Sequence, residues 1–183
     1  MRRDTGIGLL AAVALLAGCF QAEAPRPAAQ SPRTDTATSL SARAQAVMEL
    51  AEEGGARAVP ELTSIALHDP DATVRREAVY SLADVGDTAD KAVIGQTLAD
   101  PDPRVREAAI EVLTGLGGDD SASMLATALN DADPRIRMDA VDALGEVGGP
   151  MAALALQQAV NDSDPGVREA ASEVLEELGT DQP

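Results

Sequence analysis

The sequence has almost no aromatic residues: no tryptophan, one phenylalanine (Phe20) and one tyrosine (Tyr80) among 183 residues. A hydrophobic core must therefore consist of leucine, valine, isoleucine and alanine, which suits closely packed helices. Cysteine and histidine also occur once each, as Cys19 and His68. A single cysteine allows no intrachain disulfide, and His68, beside a helix end and a turn, is more typical of a helix-terminal side chain than of a metal ligand or a base, so no nucleophile–base pair can be assembled. We therefore expect no enzymatic activity, no catalytic or metal-ligating residues and no cofactor.

Basic residues are also scarce. Lysine and arginine total 14 against 31 aspartates and glutamates, which gives a formal net charge of −17 at pH 7. Such an excess of negative charge repels nucleic acid and anionic lipid headgroups. The charge balance favours a basic protein or cations as partners and argues against nucleic acid.

The N-terminal segment has the pattern of an export signal. Arg2 and Arg3 precede an apolar run from Gly6 to Gly18. That run is too short to cross a hydrocarbon core of about 30 Å comfortably. Residues 1–18 are therefore predicted to be a cleaved signal peptide rather than a membrane anchor.

The sequence Leu16-Ala17-Gly18-Cys19 resembles the lipobox of bacterial lipoproteins. The resemblance implies that Cys19 becomes the mature N-terminus and carries lipid, including fatty acids such as palmitate, as a membrane anchor. Two or three acyl chains would hold the protein stably. Since Phe20 is not the aspartate that retains lipoproteins at the inner membrane, the resemblance favours the outer membrane, facing the periplasm. An ordinary secretory signal with an incidental cysteine remains the alternative.

The segment after Cys19 is rich in proline, alanine, serine and threonine and shows no apolar period. Such a composition buries too little apolar surface to offset the entropy lost on ordering. Residues 19–39 are predicted to form a disordered tether that begins with the lipidated cysteine. We expect a folded domain over residues 40–180 and a short tail at 181–183.

The folded part is built on a repeat of 31 residues. The stretch DPDPRVREAAIEVLTGLG, which begins at Asp100, recurs with the same residue types at the same offsets. The four copies begin at Asp69, Asp100, Asp131 and Asp162. Periods of this length with helical patterning are typical of solenoids, whose units bury their apolar faces against their neighbours.

Each copy has the pattern of a helix whose first and last residues can be recognised. An aspartate stands at the N-cap, a proline follows it in three copies, and a glycine stands where a left-handed residue would end the helix. The N-cap aspartates are Asp71, Asp102, Asp133 and Asp164, the prolines are Pro103, Pro134 and Pro165, and the glycines are Gly86, Gly117, Gly148 and Gly179.

Between these ends, apolar residues at helical spacing form one stripe, for example Val105, Ala109, Leu113 and Leu116. A second, less regular helix precedes each copy, at roughly 57–67, 89–99, 120–130 and 150–161. The unit is then a helical hairpin. The fold class is predicted to be all-α: an α-solenoid of about four hairpins, preceded by an N-terminal capping helix that contains Arg43 and Leu50.

The order of an Asp-rich turn, Pro, Val-Arg, Ala and Leu resembles the HEAT repeat, particularly the short HEAT-like form also found in phycobilin lyases. The resemblance covers residues 41–179. It implies that the helix carrying Val-Arg is the second of its pair and lines the concave side, and that arginines and turn aspartates form a ladder between repeats. The matching arginines are Arg75, Arg106, Arg137 and Arg168, and the aspartates are the four that begin the copies.

If that geometry holds, the exposed positions of the Val-Arg helices form an acidic groove. Eleven carboxylates, Asp139 among them, stand opposite the apolar stripe against three arginines. We predict that this groove captures a basic partner, with Tyr80 and Met138 as its only large anchors. A solvated acidic surface that only serves solubility is the alternative. The residues assigned to the groove are Arg76, Tyr80, Asp84, Glu107, Glu111, Met138, Asp142, Glu146, Glu169, Glu173 and Glu177.

The predicted function is a membrane-anchored, non-enzymatic scaffold or adaptor for protein–protein interaction. Two alternatives stay open: a phycobilin-lyase-like enzyme or noncatalytic subunit of an enzyme assembly, and a structural spacer with no groove ligand. Deoxyhypusine hydroxylase, another HEAT-like enzyme, binds iron through paired His-Glu motifs, which this sequence lacks. The spacing of Asp162, Asp164 and Glu173 matches positions 1, 3 and 12 of a calcium-binding EF-hand loop. We do not assign such a loop, because Pro165 is predicted to be the first residue of a helix, where an EF-hand needs flexible chain.

Overall fold

The computed structural model describes residues 33–85 and 91–180, with side chains described for 42–85 and 91–179. Within these ranges the chain is all-α, with nine α-helices and no strand. The predicted fold class is therefore confirmed. The predictions for the signal peptide, for Cys19, for Gly86 and for the tail at 181–183 concern residues outside the described ranges.

The helices alternate between long members that begin at an aspartate turn and shorter members that precede them. Their bounds are α1 Arg33–Gly54, α2 Val59–His68, α3 Ala72–Val85, α4 Lys91–Thr97, α5 Pro103–Leu116, α6 Gly118–Ala128, α7 Pro134–Val147, α8 Gly149–Ala159 and α9 Pro165–Thr180. A single 3₁₀ turn, Gly55–Arg57, follows α1.

The start of α1 differs from the prediction. Residues 33–39 were assigned to the tether, but they form the first two turns of α1. The sequence up to Pro32 is rich in proline, and no proline follows it until Pro60. Because proline is the residue that stops helices most strongly, the helix can extend back to the position after Pro32.

The predicted caps at the N-terminal ends are confirmed. The Asp102 and Asp133 side chains accept hydrogen bonds from the backbone N–H groups of Arg104 and Arg135, at 2.9 and 3.0 Å. Asp71 and Asp164 accept equivalent bonds at 2.8 Å from residues two positions later. These bonds satisfy amide groups that have no partner within the helix, which fixes where each long helix begins.

The predicted C-terminal glycines have mixed outcomes. Gly117 and Gly148 have φ angles of 59° and 64° and end α5 and α7, as expected. Gly179 is not a left-handed stop, because α9 continues through it to Thr180. In α5 and α7 the next helix starts directly after the glycine and forces the chain to reverse. No such helix comes after Gly179 within the described residues.

The long helices α1, α3, α5, α7 and α9 pack side by side in sequence order, and the short helices α2, α4, α6 and α8 form the second layer. The core lies between the layers. Leu82, Leu113 and Leu144 are at most 1 % exposed, as the register predicts. Leu175 is only partly buried; α9 is the last described helix, and no hairpin among the described residues packs against its outer side.

An arginine–aspartate ladder joins the repeats, as the family resemblance implies. Arg75 lies 2.7 Å from Asp100, Arg106 lies 2.7 Å from Asp131, and Arg137 lies 2.8 Å from Asp162. These side chains are only 6–14 % exposed. Charge-assisted pairs with so little water are stronger than surface pairs, and they hold consecutive long helices in one register.

The same aspartates also tie the ladder to the backbone. Each arginine donates to the carbonyl oxygen of the aspartate that opens its own repeat; Arg106, for example, donates to Asp100 O at 2.8 Å. Each aspartate carboxylate also accepts from the N–H two residues later, as Asp131 does from Asp133 at 2.8 Å. Arg43 of α1 pairs with Asp69, so the first described helix joins the ladder.

Candidate binding groove

The residues assigned to the groove fall into three columns across the long helices. Because the period is 31 residues, positions 31 apart lie at equal height on successive helices. The first column is Arg76, Glu107, Met138 and Glu169, the second is Tyr80, Glu111, Asp142 and Glu173, and the third is Asp84, Gly115, Glu146 and Glu177. The structure therefore places all eleven predicted residues on one layer, but it distributes them over several separate grooves.

A groove with a volume of about 830 Å³ runs between α5 and α7. Five of its lining residues were predicted: Glu107, Glu111, Met138, Asp142 and Glu146. The other six are Ile110, Thr114, Gly115, Arg135, Asp139 and Ala143. We refer to this set as the α5/α7 groove.

The α5/α7 groove has acidic walls and a mostly apolar floor. Ile110 and Ala143 are buried at its base, and Met138 is half-buried beside them. The Thr114 hydroxyl donates to the Ile110 carbonyl at 2.7 Å, so its hydrogen-bonding capacity is used within α5. Glu107, Glu111, Asp142 and Glu146 stand above this floor. A ligand could therefore bury apolar surface below and place cations beside the walls.

Crowding of like charges perturbs two carboxyl groups in the groove. Partial burial, followed by the charges of Glu107, Asp142 and Asp133, raises the pKa of Asp139, and Arg135 opposes the change. Loss of surrounding water, then the charge of Glu146, raises the pKa of Asp142. Both shifts mean that the ionised carboxylates are less stable here than in water. A cation in the groove would relieve that repulsion.

A direct hydrogen bond joins α3 and α5. The Tyr80 hydroxyl donates to Glu111 Oε2 at 2.6 Å. Burial and this hydrogen bond raise the pKa of Tyr80 to about 12, so the hydroxyl stays protonated and remains a donor at neutral pH. Tyr80 therefore anchors one wall of the α5/α7 groove by holding Glu111 rather than by facing a ligand there.

Other predicted residues line smaller grooves. Tyr80 and Asp84 border a groove of about 420 Å³ between α1 and α3, together with Met48 of α1. Asp142, Glu146 and Glu177 border another of about 290 Å³ between α7 and α9. Glu169 and Glu173 lie on α9, and Arg76 lies half-buried on α3.

Gly115 was not assigned to the groove from sequence, whereas Asp139 was counted among its eleven carboxylates but left out of the eleven assigned residues. Asp139 stands one position beyond the first column, and only the packing of α7 against α5 turns it into the groove beside Glu107. Gly115 has no side chain, so a helical wheel gives it no charge or size. The period of 31 is the signal that could have found it, because Asp84, Glu146 and Glu177 occupy the same column.

No group of three or more histidine, cysteine, aspartate or glutamate side chains in the described ranges is arranged to hold a metal ion. None of the helices described is both long and apolar enough to span a membrane.

The family model for HEAT repeats matches residues 32–98 and 91–176. The chain belongs to the HEAT-repeat family. The matched residues include the whole α5/α7 groove and nearly all of the four Val-Arg helices. No curated protein matches the sequence.

Several solved structures share the fold of this HEAT-repeat chain. Human deoxyhypusine hydroxylase is 24 % identical with a TM-score of 0.59, over 67 % of this chain and 44 % of that one. Cex1p is 18 % identical with a TM-score of 0.57, over 71 % of this chain and 29 % of that one. The chain thus spans less than half of either protein, and at these identities the likeness shows the fold alone.

The complex of CpcE and CpcF of phycocyanin lyase from Nostoc sp. PCC7120 also matches. It is 23 % identical over 78 % of this chain and 89 % of that one, with a TM-score of 0.49. That score is too low to support a shared assembly or activity.

Proposed function

We propose that this HEAT-repeat chain is a non-enzymatic scaffold that binds a basic protein partner in the α5/α7 groove and is held at the bacterial envelope by lipid on Cys19. The observation that supports it best is the groove itself. A cleft of about 830 Å³ combines five carboxylates with an apolar floor and a single arginine. That combination fits lysine and arginine side chains, whose long apolar stems end in a cation.

Charge contributes to the proposed binding in two ways. The net charge of −17 attracts a basic partner over distance and raises its rate of encounter. Within the groove, a bound cation would lower the pKa values of Asp139 and Asp142, which burial and the crowded carboxylates raise. Both contributions weaken as salt screens the charges, since the screening length is about 8 Å at physiological ionic strength.

The apolar floor adds van der Waals and hydrophobic contacts with the partner to the attraction between charges. Met138 has an unbranched, flexible side chain that adapts to different ligand shapes. Ile110 and Ala143 hold the base of the groove rigid because they belong to the buried core. A partner would therefore be held by apolar contact in the centre and by charge at the rim, an arrangement common at protein interfaces.

The proposed binding predicts a specific loss when groove carboxylates are neutralised. The triple variant E107Q/E111Q/E146Q should bind a basic partner at least about tenfold more weakly than the unchanged protein, because three of five wall charges are removed. A carbodiimide, which joins carboxylates directly to amines, can crosslink the partner in native envelopes, and mass spectrometry then locates the bonds. We expect crosslinks from the partner's lysines to Glu107, Glu111, Asp142 or Glu146.

A matched control separates the groove from overall charge. E49Q/E53Q/D120N changes the net charge by the same amount on exposed positions of α1 and α6. This control should retain binding and crosslinking. Equal loss in both variants would show that only the overall charge matters, and the solvated-surface interpretation would then replace the groove. A chromophore that co-purified with the protein would favour the lyase-like alternative.

The proposed anchor makes an independent prediction. Export would expose Cys19 to lipid transfer, so the purified protein should carry the mass of covalent acyl groups and partition into detergent. Cys19→Ser should lose both the added mass and the membrane association, because no sulfur remains to accept lipid. A Cys19→Ser protein that still fractionated with membranes would contradict anchoring at this residue.

A further inference from the structure

Gly115 is a glycine that the fold itself does not require. It lies inside α5, two residues before the stop at Gly117, and its φ angle is not in the left-handed region. A Cβ atom built at Gly115 would meet nothing within 4 Å. Glycine is among the least favourable residues in a helix interior, so neither backbone geometry nor packing accounts for it.

Two other helical glycines, Gly145 and Gly95, do have a packing reason. A Cβ at Gly145 would lie 2.8 Å from Val174 Cγ1, and one at Gly95 would lie 2.9 Å from Met124 Sδ. In both cases the glycine lets a neighbouring helix approach closely. Gly115 faces the α5/α7 groove instead. The missing side chain opens a notch in the groove wall at the height of Glu146.

In the third column, Gly115 is the position that lacks a carboxylate. The other three positions carry acids, Asp84, Glu146 and Glu177, so a fourth carboxylate would fit the pattern. In its place, the groove has open space beside the apolar floor of Ile110 and Ala143, with Glu146 across from it. An apolar stem could lie in that space and carry a cation to Glu146.

The heights of the carboxylates suggest the form of the ligand. The carboxylates lie at three levels along the helix axes, about four residues or roughly 6 Å apart. The first level holds Glu107 and Asp139, the second Glu111 and Asp142, and the third Glu146. Alternate side chains of an extended peptide repeat at about 6.6 Å. A helix is about 10 Å wide and would rest on the rims of two packed helices, whereas an extended chain can reach the floor.

Resting on the proposed function, we infer that the partner presents an extended basic segment with cations at alternate residues, and that one of its arginine or lysine side chains enters the notch at Gly115. Gly115 is then the residue that determines specificity in the α5/α7 groove. The carboxylates attract the segment, and the notch selects its register and its extended form.

Substitution at Gly115 separates this inference from simple charge attraction. Gly115→Glu adds a carboxylate, so attraction alone would strengthen binding, whereas a filled notch weakens it. The probe is a synthetic peptide of about ten residues in which arginine and serine alternate, with affinity measured by calorimetry at low salt. We expect Gly115→Glu to bind at least about tenfold more weakly despite its added charge, and Gly115→Leu to behave alike.

Three controls accompany the measurement. Gly179→Leu changes another open helical glycine, outside the groove, and should bind as the unchanged protein does. A peptide of the same composition with its arginines in one block should bind more weakly than the alternating one. The melting temperatures of both Gly115 variants should equal or exceed that of the unchanged protein, which excludes unfolding as the cause of lost affinity.

The outcomes distinguish the inference from the function on which it rests. If Gly115→Glu binds the alternating peptide as well as or better than the unchanged protein, the notch is overturned while an acidic groove remains. If both peptides bind equally, the extended register is overturned. If neither peptide binds at low salt, the basic-partner function fails and the inference fails with it.

Discussion

Leu113→Ala is expected to lower the free energy of unfolding by about 2–5 kcal/mol. Leu113 is completely buried in the middle of α5, between the two helix layers. Alanine would remove the transfer energy of the lost atoms and leave a cavity that rigid neighbouring helices cannot close. Urea denaturation followed by circular dichroism measures the change. The size of the effect also tests the register, because the repeat places Leu82 and Leu144 at equivalent sites.

Leu116→Ala is the control for this prediction. Leu116 lies one turn later on the same helix but is 37 % exposed, so its truncation should cost less than about 1 kcal/mol. Equal losses at Leu113 and Leu116 would contradict the assignment of the buried face of α5.

Asp131→Ala is expected to destabilise the protein by about 3 kcal/mol, because it leaves Arg106 with little water and no counter-charge. The two side chains are 14 % and 9 % exposed and lie 2.7 Å apart. The substitution also removes the acceptor of the Asp133 backbone N–H. Thermal and urea unfolding both report the loss. Asp131→Asn keeps an acceptor oxygen but not the charge, so it should fall between alanine and the unchanged protein.

Arg135→Ala provides the matched comparison for the ladder. Arg135 lies 3.6 Å from Asp133, but its side chain is 88 % exposed. Surface pairs of this kind contribute little, so its removal should change stability by no more than about 0.5 kcal/mol. If Asp131→Ala cost no more than Arg135→Ala, the ladder would have to be regarded as a surface feature.

Periodicity made most of the fold predictable. Side-chain types that recur every 31 residues fixed the positions of the N-caps and the buried leucines, since each is a local consequence of one repeating hairpin. The arginine–aspartate pairs join successive repeats, and it was the resemblance to HEAT repeats that implied them. The start of α1 was predicted wrongly because the tether was inferred from the composition of residues 19–39 as a whole, whereas the prolines of that segment all lie at or before Pro32. The outcome at Gly179 differs from that at Gly117 and Gly148 because those two glycines each precede another packed helix. A glycine alone does not specify whether such a helix is present.

The site was less predictable than the fold. A helical wheel identified which positions face outward, but it does not show where two helices leave space between them. Tyr80 was predicted to be an anchor of the groove; the structure shows its hydroxyl hydrogen-bonded to Glu111 on the next long helix, and Tyr80 also borders the smaller groove between α1 and α3. Gly115 was not predicted because a residue without a side chain gives no sign, on a single helix, that the space beside it could receive a ligand. Only the packing of α5 against α7 makes that space visible.

The ladder is not equally complete at both ends of the described chain. Arg168 continues the arginine column, but it donates to the carbonyls of Asp162 and Ser163 and, among the described residues, has no carboxylate partner. Val79, Ile110 and Val141 are buried at one position of the long helices, whereas Ser172 at that position is exposed. Among the described residues, the last hairpin is therefore coupled to one neighbouring hairpin only. Fraying should begin there, and amide hydrogens of α9 should exchange with solvent before those of α5.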